Sequence, residues 1–278
     1  MKISIVIPIL NEVSTIETLL IYLLKNSSDN YVNEIIVVDG GSVDGSQEIV
    51  SSFVNSLLVG QTGSAFSNKV GEKKYREVRG LDTISVNTEI TPRRNGIVGL
   101  GPDIQIISAE KGRAKQMNVG ARAAKGDVLY FLHADSVPPK YFDKAIIDEI
   151  SNGASAGCFR MKFDSDHPFL RFCQWFTRFN VRGCRGGDQS LFIKKSLFET
   201  MDGFDETYRI YEDCEFIGRL YDIGSFTVIP DYVTTSARKY EKNGTWRLQY
   251  HFTVIHLKKF FGASPERLYK YYVDNITS

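Results

Sequence analysis

The residues best suited to chemistry follow a short buried strand near the middle of the chain. Val128 to Leu132 is an apolar run of β-forming residues, and His133 and Asp135 come directly after it. This composition is typical of a parallel strand buried on both faces, and open α/β sheets bind ligands at the carboxyl ends of such strands. A carboxylate held there could bind Mg²⁺ or Mn²⁺ against a diphosphate. The pattern alone is weak, because any α/β protein carries acids after its strands.

Polar side chains also follow three other predicted strands, Ile3–Ile7, Glu34–Val38 and Ile104–Ile107. The segments concerned are Pro8 to Glu12, Asp39 to Gly45, and Lys111 to Asn118. Topology brings the carboxyl ends of parallel strands to one edge of the sheet. Basic residues beside a helix N-terminus there suit phosphate oxygens, and Asp39 could accept a hydrogen bond from a base or ribose. The glycines after Asp39 do not form GxGxxG, which weakens a dinucleotide interpretation.

The elements that must position these residues alternate between strand and helix. This order predicts a parallel sheet with right-handed crossovers, so we expect an α/β fold with a Rossmann-like, mostly parallel sheet flanked by helices. The segment 60–102 interrupts the alternation, since it is polar, rich in glycine and without clear periodicity. We interpret it as an insertion, either a functional flap or disordered, and favour a mobile insertion over a small ordered subdomain. Because no repeat or clear linker is evident, residues 1–278 are expected to form one continuous domain.

The composition is that of an ordinary globular protein. Of 278 residues, 42% are apolar and 24% are charged, and the formal net charge of +1 gives no reason to expect nucleic-acid binding. The four cysteines form no CxxC pair, so neither a disulfide framework nor a zinc site is indicated, and a reducing cytoplasm fits best. The N-terminus reads as a strand rather than a signal peptide, and no apolar run is long enough to span a membrane.

Two segments of the second half combine aromatic and helical patterns. Phe172, Trp175, Phe176 and Phe179 recur at helical spacing, which favours core packing over a ligand platform. The final helix, predicted over Thr245 to Phe261, has a broad apolar face formed by Trp246, Tyr250, Val254, Leu257 and Phe261. Packing of this face over the core is favoured, and contact with a membrane surface is the alternative.

Five motifs in order carry a resemblance to a known family: IVIPILNE, IVVDGGSVDGS, KGRAKQMNVGARAAKGDVLYFLHAD, GGDQSLF and YEDCEF. Together they resemble the family 2 glycosyltransferases of the GT-A fold, and most closely a small bacterial subgroup with HAD in place of DxD. The resemblance covers residues 1 to about 60 and 103 to about 270, and the segment 60–102 has no counterpart. It implies a nucleotide-binding half, 1–135, and an acceptor and catalytic half, 136–278, which includes the C-terminal helix.

The resemblance also implies roles for individual residues. Those expected at the nucleoside are Pro8, Asn11, Glu12 and Asp39, with Asp44 shaping the pocket. Those expected at or near the diphosphate are Lys111, Arg113, Gln116 and Asn118. Asp135 matches the last acid of DxD and would hold the metal, Mn²⁺ or Mg²⁺. His133 replaces the first acid and is expected at the acceptor or the donor sugar, where we favour a hydrogen-bonded strand-end histidine over a metal ligand.

The YED segment matches the family motif in which an acid acts as the general base. Asp213 is the first choice for that base and Glu212 the second, although acids are favoured in the first turn of any helix. Asp188 and Gln189 lie in a glycine loop that could approach the acceptor or the donor sugar.

These inferences predict a metal-dependent transfer of a sugar, with inversion, from a nucleoside diphosphate sugar to a hydroxyl acceptor. A UDP-sugar is the favoured donor, and the acceptor could be a glycan, a lipid or a small molecule. We expect a cytoplasmic enzyme, with peripheral contact to the inner face of the membrane through the C-terminal helix as an option. A nucleotide-binding scaffold or inactive homologue is the main alternative, since the first acid of DxD is missing. A sugar nucleotidyltransferase is discounted, because the loop after the first strand has no glycine or basic residue.

Overall fold

The structure, a computed structural model, describes residues 1–28, 30–61, 102–224 and 226–277. Apart from its ends, the predicted insertion 60–102 lies outside the described residues. Among the described residues, no helix is both long and apolar enough to cross a membrane.

One sheet runs through the described part of the chain. Its eight strands are β1 (Ile3–Ile9), β2 (Val32–Asp39), β3 (Asp103–Ser108), β4 (Val128–Phe131), β5 (Ser136–Val137), β6 (Ala156–Phe163), β7 (Leu191–Lys194) and β8 (Phe226–Thr235). The α-helices of the described residues are α1 (Ile16–Asn26), α2 (Ser46–Gln61), α3 (Arg113–Ala123), α4 (Phe142–Ser151), α5 (Pro168–Phe176), α6 (Lys195–Thr200), α7 (Glu212–Asp222), α8 (Arg238–Asn243), α9 (Thr245–Phe260) and α10 (Pro265–Tyr272).

The strand order is β3-β2-β1-β4-β7-β6-β8-β5. Strands β1 to β4 pair in parallel, as expected from the alternation of strand and helix, and β6 pairs in parallel with β8. Strand β7 runs antiparallel to both β4 and β6, and β5 runs antiparallel to β8. The α/β prediction is confirmed, and the carboxyl ends of β1, β2, β3 and β4 share one edge of the sheet.

Helices cover both faces of the sheet, and successive side chains of β1 therefore pack alternately on one face and the other. Ile5 and Ile7 belong to the core cluster that includes α1 and α4, whereas Val6 belongs to the cluster that includes α3 and α7. Helix α3 lies unusually close to the strands, because a Cβ atom at Gly120 would come within 2.4 Å of the Val6 side chain. Close packing of α3 therefore fixes the position of its N-terminus at the sheet edge.

Most aromatic side chains of α5 lie outside the core, and the prediction of core packing is wrong. Only Leu170 of this helix is buried. The four aromatic residues predicted to pack inside are exposed by 36% to 59%: Phe172, Trp175, Phe176 and Phe179. The periodicity is correct for a helix, but the helix turns its aromatic face to the solvent.

The preferred interpretation of α9, packing of its apolar face over the core, is also wrong. Leu248 and Ile255 are the buried residues of this helix. Most of the predicted apolar face is exposed, namely Trp246, Tyr250, Leu257 and Phe261. Helix α9 packs instead on α8 and α10, two helices that the sequence pattern did not predict.

Candidate active site at the carboxyl ends of the strands

The loops after β1 and β2 are joined by hydrogen bonds. Asn11, which has a positive φ of 59°, accepts from the Val43 amide, and its own amide donates to the Ser42 hydroxyl. The Val13 amide donates to Asp44, at 3.0 Å. Pro8 is buried within β1, beyond the last residue paired with β4, so its missing N–H costs no sheet bond there. The candidate nucleoside residues therefore form one connected rim.

The Asp39 carboxylate is buried at the end of β2 and is held by its own loop. It accepts from the amide of Gly41 at 2.9 Å, and from Ser42 and Gln47. Burial alone would raise the pKa of Asp39, but the hydrogen bonds from Ser42 and Gln47 outweigh it, and the net pKa is lowered. Asp39 is therefore a carboxylate at neutral pH, and its hydrogen bonds hold the loop after β2 in shape.

Helix α3 has basic side chains at its start, whereas the side-chain amides further along the helix bond to the protein backbone. Lys111 and Arg113 are exposed where the helix begins. Gln116, in contrast, is buried and donates to the carbonyls of Ile9 and Val38, at 2.7 and 2.8 Å, which ties the ends of β1 and β2 together. The buried Asn118 bonds in turn to the backbone of residue 204, on the far side of the helix. The structure thus brings Lys111 and Arg113 to the edge and leaves both amides in structural roles.

Two residues after β4 reach the same edge. The His133 side chain is 11% exposed and that of Asp135 is 32% exposed. Arg238, at the start of α8, places one guanidinium nitrogen 3.2 Å from Glu12 Oε2 and 3.7 Å from Asp135 Oδ2. A basic residue from the far end of the chain thus closes the space between the first loop and the candidate metal ligand.

The glycine loop before β7 brings one acid to the site and turns one amide inward. Asp188 is exposed and lies 3.8 Å from His133 Nδ1. Gln189 is buried, where its side chain accepts from the Arg185 guanidinium and donates to the Cys184 carbonyl. Arg185 also donates to the carbonyls of Thr177 and Phe179. Arg185 and Gln189 therefore anchor the loop, and Asp188 is its exposed functional group.

The acids of the YED motif open α7 at the centre of the site. The preceding residue, Tyr211, has a φ of 71°, a left-handed conformation that turns the chain into the helix. Asp213 Oδ2 lies 3.8 Å from both His133 Nε2 and Arg113 Nη1. Glu212 Oε1 lies 3.0 Å from Arg113 Nε, without the geometry of a hydrogen bond, so neither carboxylate oxygen of Glu212 has a hydrogen-bond partner among the described residues.

Burial controls the protonation of this cluster. It raises the pKa of Asp213 to about 6, with the nearby Arg113 opposing the rise and Asp188 adding to it. Burial also raises the pKa of Glu212. Burial and the charge of Arg113 lower the pKa of His133, so its imidazole is neutral at neutral pH. A carboxylate with a pKa close to neutrality is suited to general-base catalysis.

Comparison with known proteins decides the family. The model of glycosyl transferase family 2 matches residues 4–63 and 94–203. The chain belongs to glycosyl transferase family 2. No curated protein sequence matches the chain at a significant level.

Solved structures show that this family 2 chain has the GT-A fold of glycosyltransferases. The residues 1–349 of Staphylococcus aureus TarS, in complex with UDP-GlcNAc, align with a TM-score of 0.59 and 18% identity over 85% of this chain and 58% of that one. PcManGT from Pyrobaculum calidifontis, a mannosyltransferase in complex with GDP-Man and Mn²⁺, aligns with a TM-score of 0.63 and 16% identity over 95% and 65%. GalNAc-T7 with UDP, GalNAc and Mn²⁺ aligns with a TM-score of 0.57 and 14% identity over 85% of this chain and 44% of that one. The chain thus spans less than two thirds of these structures.

The side chains of the family 2 site that could coordinate a cation are too few to hold it without oxygen atoms from a bound ligand. Among the described residues, no group of three or more His, Cys, Asp and Glu side chains is arranged to hold a metal ion. Asp135 is a single, partly exposed carboxylate. Proteins commonly bind Mg²⁺ through one or two carboxylates together with substrate phosphates and water. The residues present fit that mode, in which the diphosphate itself completes the coordination.

Three further residues of the site were not predicted from the sequence. Arg238 contacts Glu12 and Asp135, and Arg185 anchors the glycine loop. Gly187 lies so close to Asp213 that a Cβ atom at position 187 would come within 2.0 Å of Oδ2. Only the glycine-rich composition around Gly187 gave a signal. The two arginines act through contacts with residues that are distant in sequence.

Proposed function

We propose that this family 2 protein transfers a sugar from a nucleoside diphosphate sugar to a hydroxyl acceptor, with inversion and with a divalent metal. The observation that carries the proposal is the largely buried Asp213 carboxylate, with its pKa near 6, set between His133 and Arg113 at the edge that also holds the candidate nucleotide-binding residues. A UDP-sugar is our favoured donor, although the structural neighbours include both UDP and GDP complexes. We assign the chain to the subgroup that carries HAD in place of DxD.

The nucleotide would lie across the loops after β1 and β2. Asp39 would accept from the base or ribose, and Asn11 and Asp44 would hold the rim in shape. Arg113 and Lys111, at the start of α3, would face the diphosphate. Asp135 would hold Mn²⁺ or Mg²⁺, which when bound neutralises charge that develops on the leaving diphosphate. Arg238 lies beside Asp135 and would meet the same phosphates.

The chemical step assigned to this chain is removal of the acceptor proton. Asp213 takes that proton while the acceptor oxygen forms a bond to the anomeric carbon and the bond from that carbon to the diphosphate breaks. The nucleoside diphosphate leaves with the bonding electrons. Arg113 holds the adjacent Glu212 carboxylate, and neutral His133 separates Asp213 from Asp188. Asp188, on the exposed loop, would contact the acceptor or the donor sugar.

We also propose a cytoplasmic location with peripheral contact to the inner membrane surface through α9. Its exposed Trp246, Tyr250 and Phe261 support this contact, since aromatic side chains suit the interface between lipid and water. Residues 1–278 would act as one domain, with the donor bound mainly by 1–135 and the base and acceptor loop supplied by 136–278.

Calorimetric titration of the full chain with UDP, GDP and dTDP, each with Mn²⁺ and with a chelator, tests the donor site and the metal together. We expect metal-dependent binding of one diphosphate, and loss of the metal dependence in Asp135→Ala. Asp148→Ala, which removes an exposed acid of α4, is the matched control. If no nucleotide binds under either condition, the transferase proposal fails and a non-catalytic scaffold is the better interpretation.

A further inference from the structure

An exposed aromatic face joins α5 to α9. Ring contacts connect Phe172 to Phe176, at 5.0 Å between centroids, and Trp175 to Phe179, at 4.9 Å. Phe169, on the same helix, meets Trp246 of α9 at 4.4 Å. We call this the aromatic face, and define it as the exposed side chains Phe172, Trp175, Phe176, Phe179, Trp246, Tyr250, Leu257 and Phe261.

Both segments that carry the aromatic face lack acidic residues. Residues 167–187 and 242–265 contain no Asp or Glu, in a chain with 33 acids. Arg171 and Arg178 are exposed on or just after α5, and the Arg178 guanidinium lies 4.8 Å from the centre of the Trp175 ring. Lys258 and Lys259 lie in the last turn of α9. Arg182 is not included among these basic residues, because it pairs with Asp222 at 3.3 Å.

We propose that the aromatic face binds a bilayer of anionic phospholipid. Exposed aromatic rings among arginines and lysines, without acids, match the polar and apolar layers of an anionic membrane surface. A second copy of the chain is a weaker occupant, since a two-fold contact would bring the same basic residues together. The inference rests on the membrane contact proposed for α9 and adds α5 as a second, connected contact.

The connection between α5 and the candidate site gives this surface a consequence. From the end of α5 the chain runs through one short 3-10 helix, Arg182–Cys184, to a second, Gly187–Gln189, which contains Asp188. Arg185 holds this segment, because its guanidinium donates to the carbonyls of Thr177 and Phe179 and to Gln189. Binding of α5 to a membrane would therefore also hold the loop that carries Asp188.

Co-sedimentation of the full chain with vesicles tests the proposal. Vesicles of phosphatidylglycerol and phosphatidylcholine in equal parts should bind the protein at least about tenfold more tightly than vesicles of phosphatidylcholine alone. Trp175→Ser with Phe179→Ser should weaken binding at least about tenfold. Ile223→Ser removes an apolar side chain of similar exposure, 53%, outside the face and should leave binding unchanged. Arg178→Glu, compared with the control Lys140→Glu, tests how much the basic charge contributes to vesicle binding, without removing an aromatic ring.

Several outcomes would overturn the inference. Absence of binding to anionic vesicles, or equal binding by the α5 double variant and the wild type, excludes α5 as a membrane contact. If only Trp246→Ser weakens binding, the contact proposed for α9 stands and the inference about α5 fails. A wild-type dimer that the α5 double variant converts to a monomer, seen by light scattering, would make the face an interface between copies. Nucleotide titration of the same variants reports on the transferase proposal separately, because none of these side chains belongs to the donor site.

Discussion

Gly187→Ala tests the position of Asp213 against the glycine loop, because it forces the carboxylate and the loop apart without removing the carboxylate. A Cβ atom at position 187 would lie 2.0 Å from Asp213 Oδ2 and 2.5 Å from Cγ. Carbon and oxygen in van der Waals contact need roughly 3.4 Å, so the loop and the carboxylate must separate by about 1.4 Å. A displacement of about 1 Å at a reacting group costs on the order of 100-fold in rate. We expect a loss of that size, which corresponds to about 2.7 kcal/mol of transition-state stabilisation.

The assay for this variant does not require the natural acceptor. Hydrolysis of the donor sugar, in which water replaces the acceptor hydroxyl, reports the rate, and calorimetry reports nucleotide affinity. Gly186→Ala is the matched control, since a Cβ atom there meets nothing within 4 Å, and its rate should stay within about twofold of the wild type. If Gly187→Ala keeps the wild-type rate, the contact between the glycine loop and Asp213 is not needed for catalysis, and the expected 100-fold loss is refuted.

Three further predictions concern the base, the fold and the donor site. Asp213→Asn should retain nucleotide binding and lose about 100-fold or more in rate, and the wild-type rate should rise with pH through about 6, because the base works only when deprotonated; a flat profile there would contradict the assignment. Gly120→Ala should lower the free energy of unfolding in denaturant titration by about 1 kcal/mol or more, since overpacking against Val6 exceeds the gain in helix propensity, whereas Gly183→Ala, with open space around it, should not. Arg238→Met should weaken diphosphate binding about tenfold in calorimetry, and Arg238→Lys should restore part of it; equal affinity for all three proteins would leave Arg238 a structural role only.

The strands that build the donor edge could be predicted because their signal is local. Strands β1 to β4 are apolar runs bounded by residues that end a strand, and their order with helices predicts parallel pairing. The antiparallel insertion of β7 and the pairing of β5 with β8 depend on contacts between distant segments. The sequence carries no local pattern for such pairings, so the second half of the sheet was predicted less completely.

The two helices with aromatic faces show a different limit. Periodicity predicts that a helix has an apolar face, but not what covers that face. For α5 and α9 the observed burial is the reverse of the preferred interpretation, with Trp175 and Trp246 exposed. The basic residues beside these rings, such as Arg178 and Lys258, were visible in the sequence and were the signal that distinguishes a surface helix from a core helix.

Site residues divide in the same way. Asp39, Asp135 and Asp213 follow from motifs at the ends of strands and the start of a helix, and the structure brings all three to one edge. Gln116 belongs to such a motif too, yet its amide ties two strands together, because a buried amide must satisfy its own hydrogen bonds. Arg238 belongs to no motif and reaches the edge only through the fold.

The charges at this edge explain why a cation and a diphosphate would bind together. The two arginines nearest the proposed phosphate site are already engaged, Arg113 with Glu212 and Asp213, and Arg238 with Glu12 and Asp135. A diphosphate that entered alone would bring further negative charge to a cluster in which carboxylates outnumber these arginines. A divalent cation at Asp135 would offset that charge and release Arg238 to the phosphates. Donor binding, metal binding and rearrangement of Arg238 are therefore expected to be coupled, whereas Arg113, fixed by the buried Glu212, would hold its position throughout.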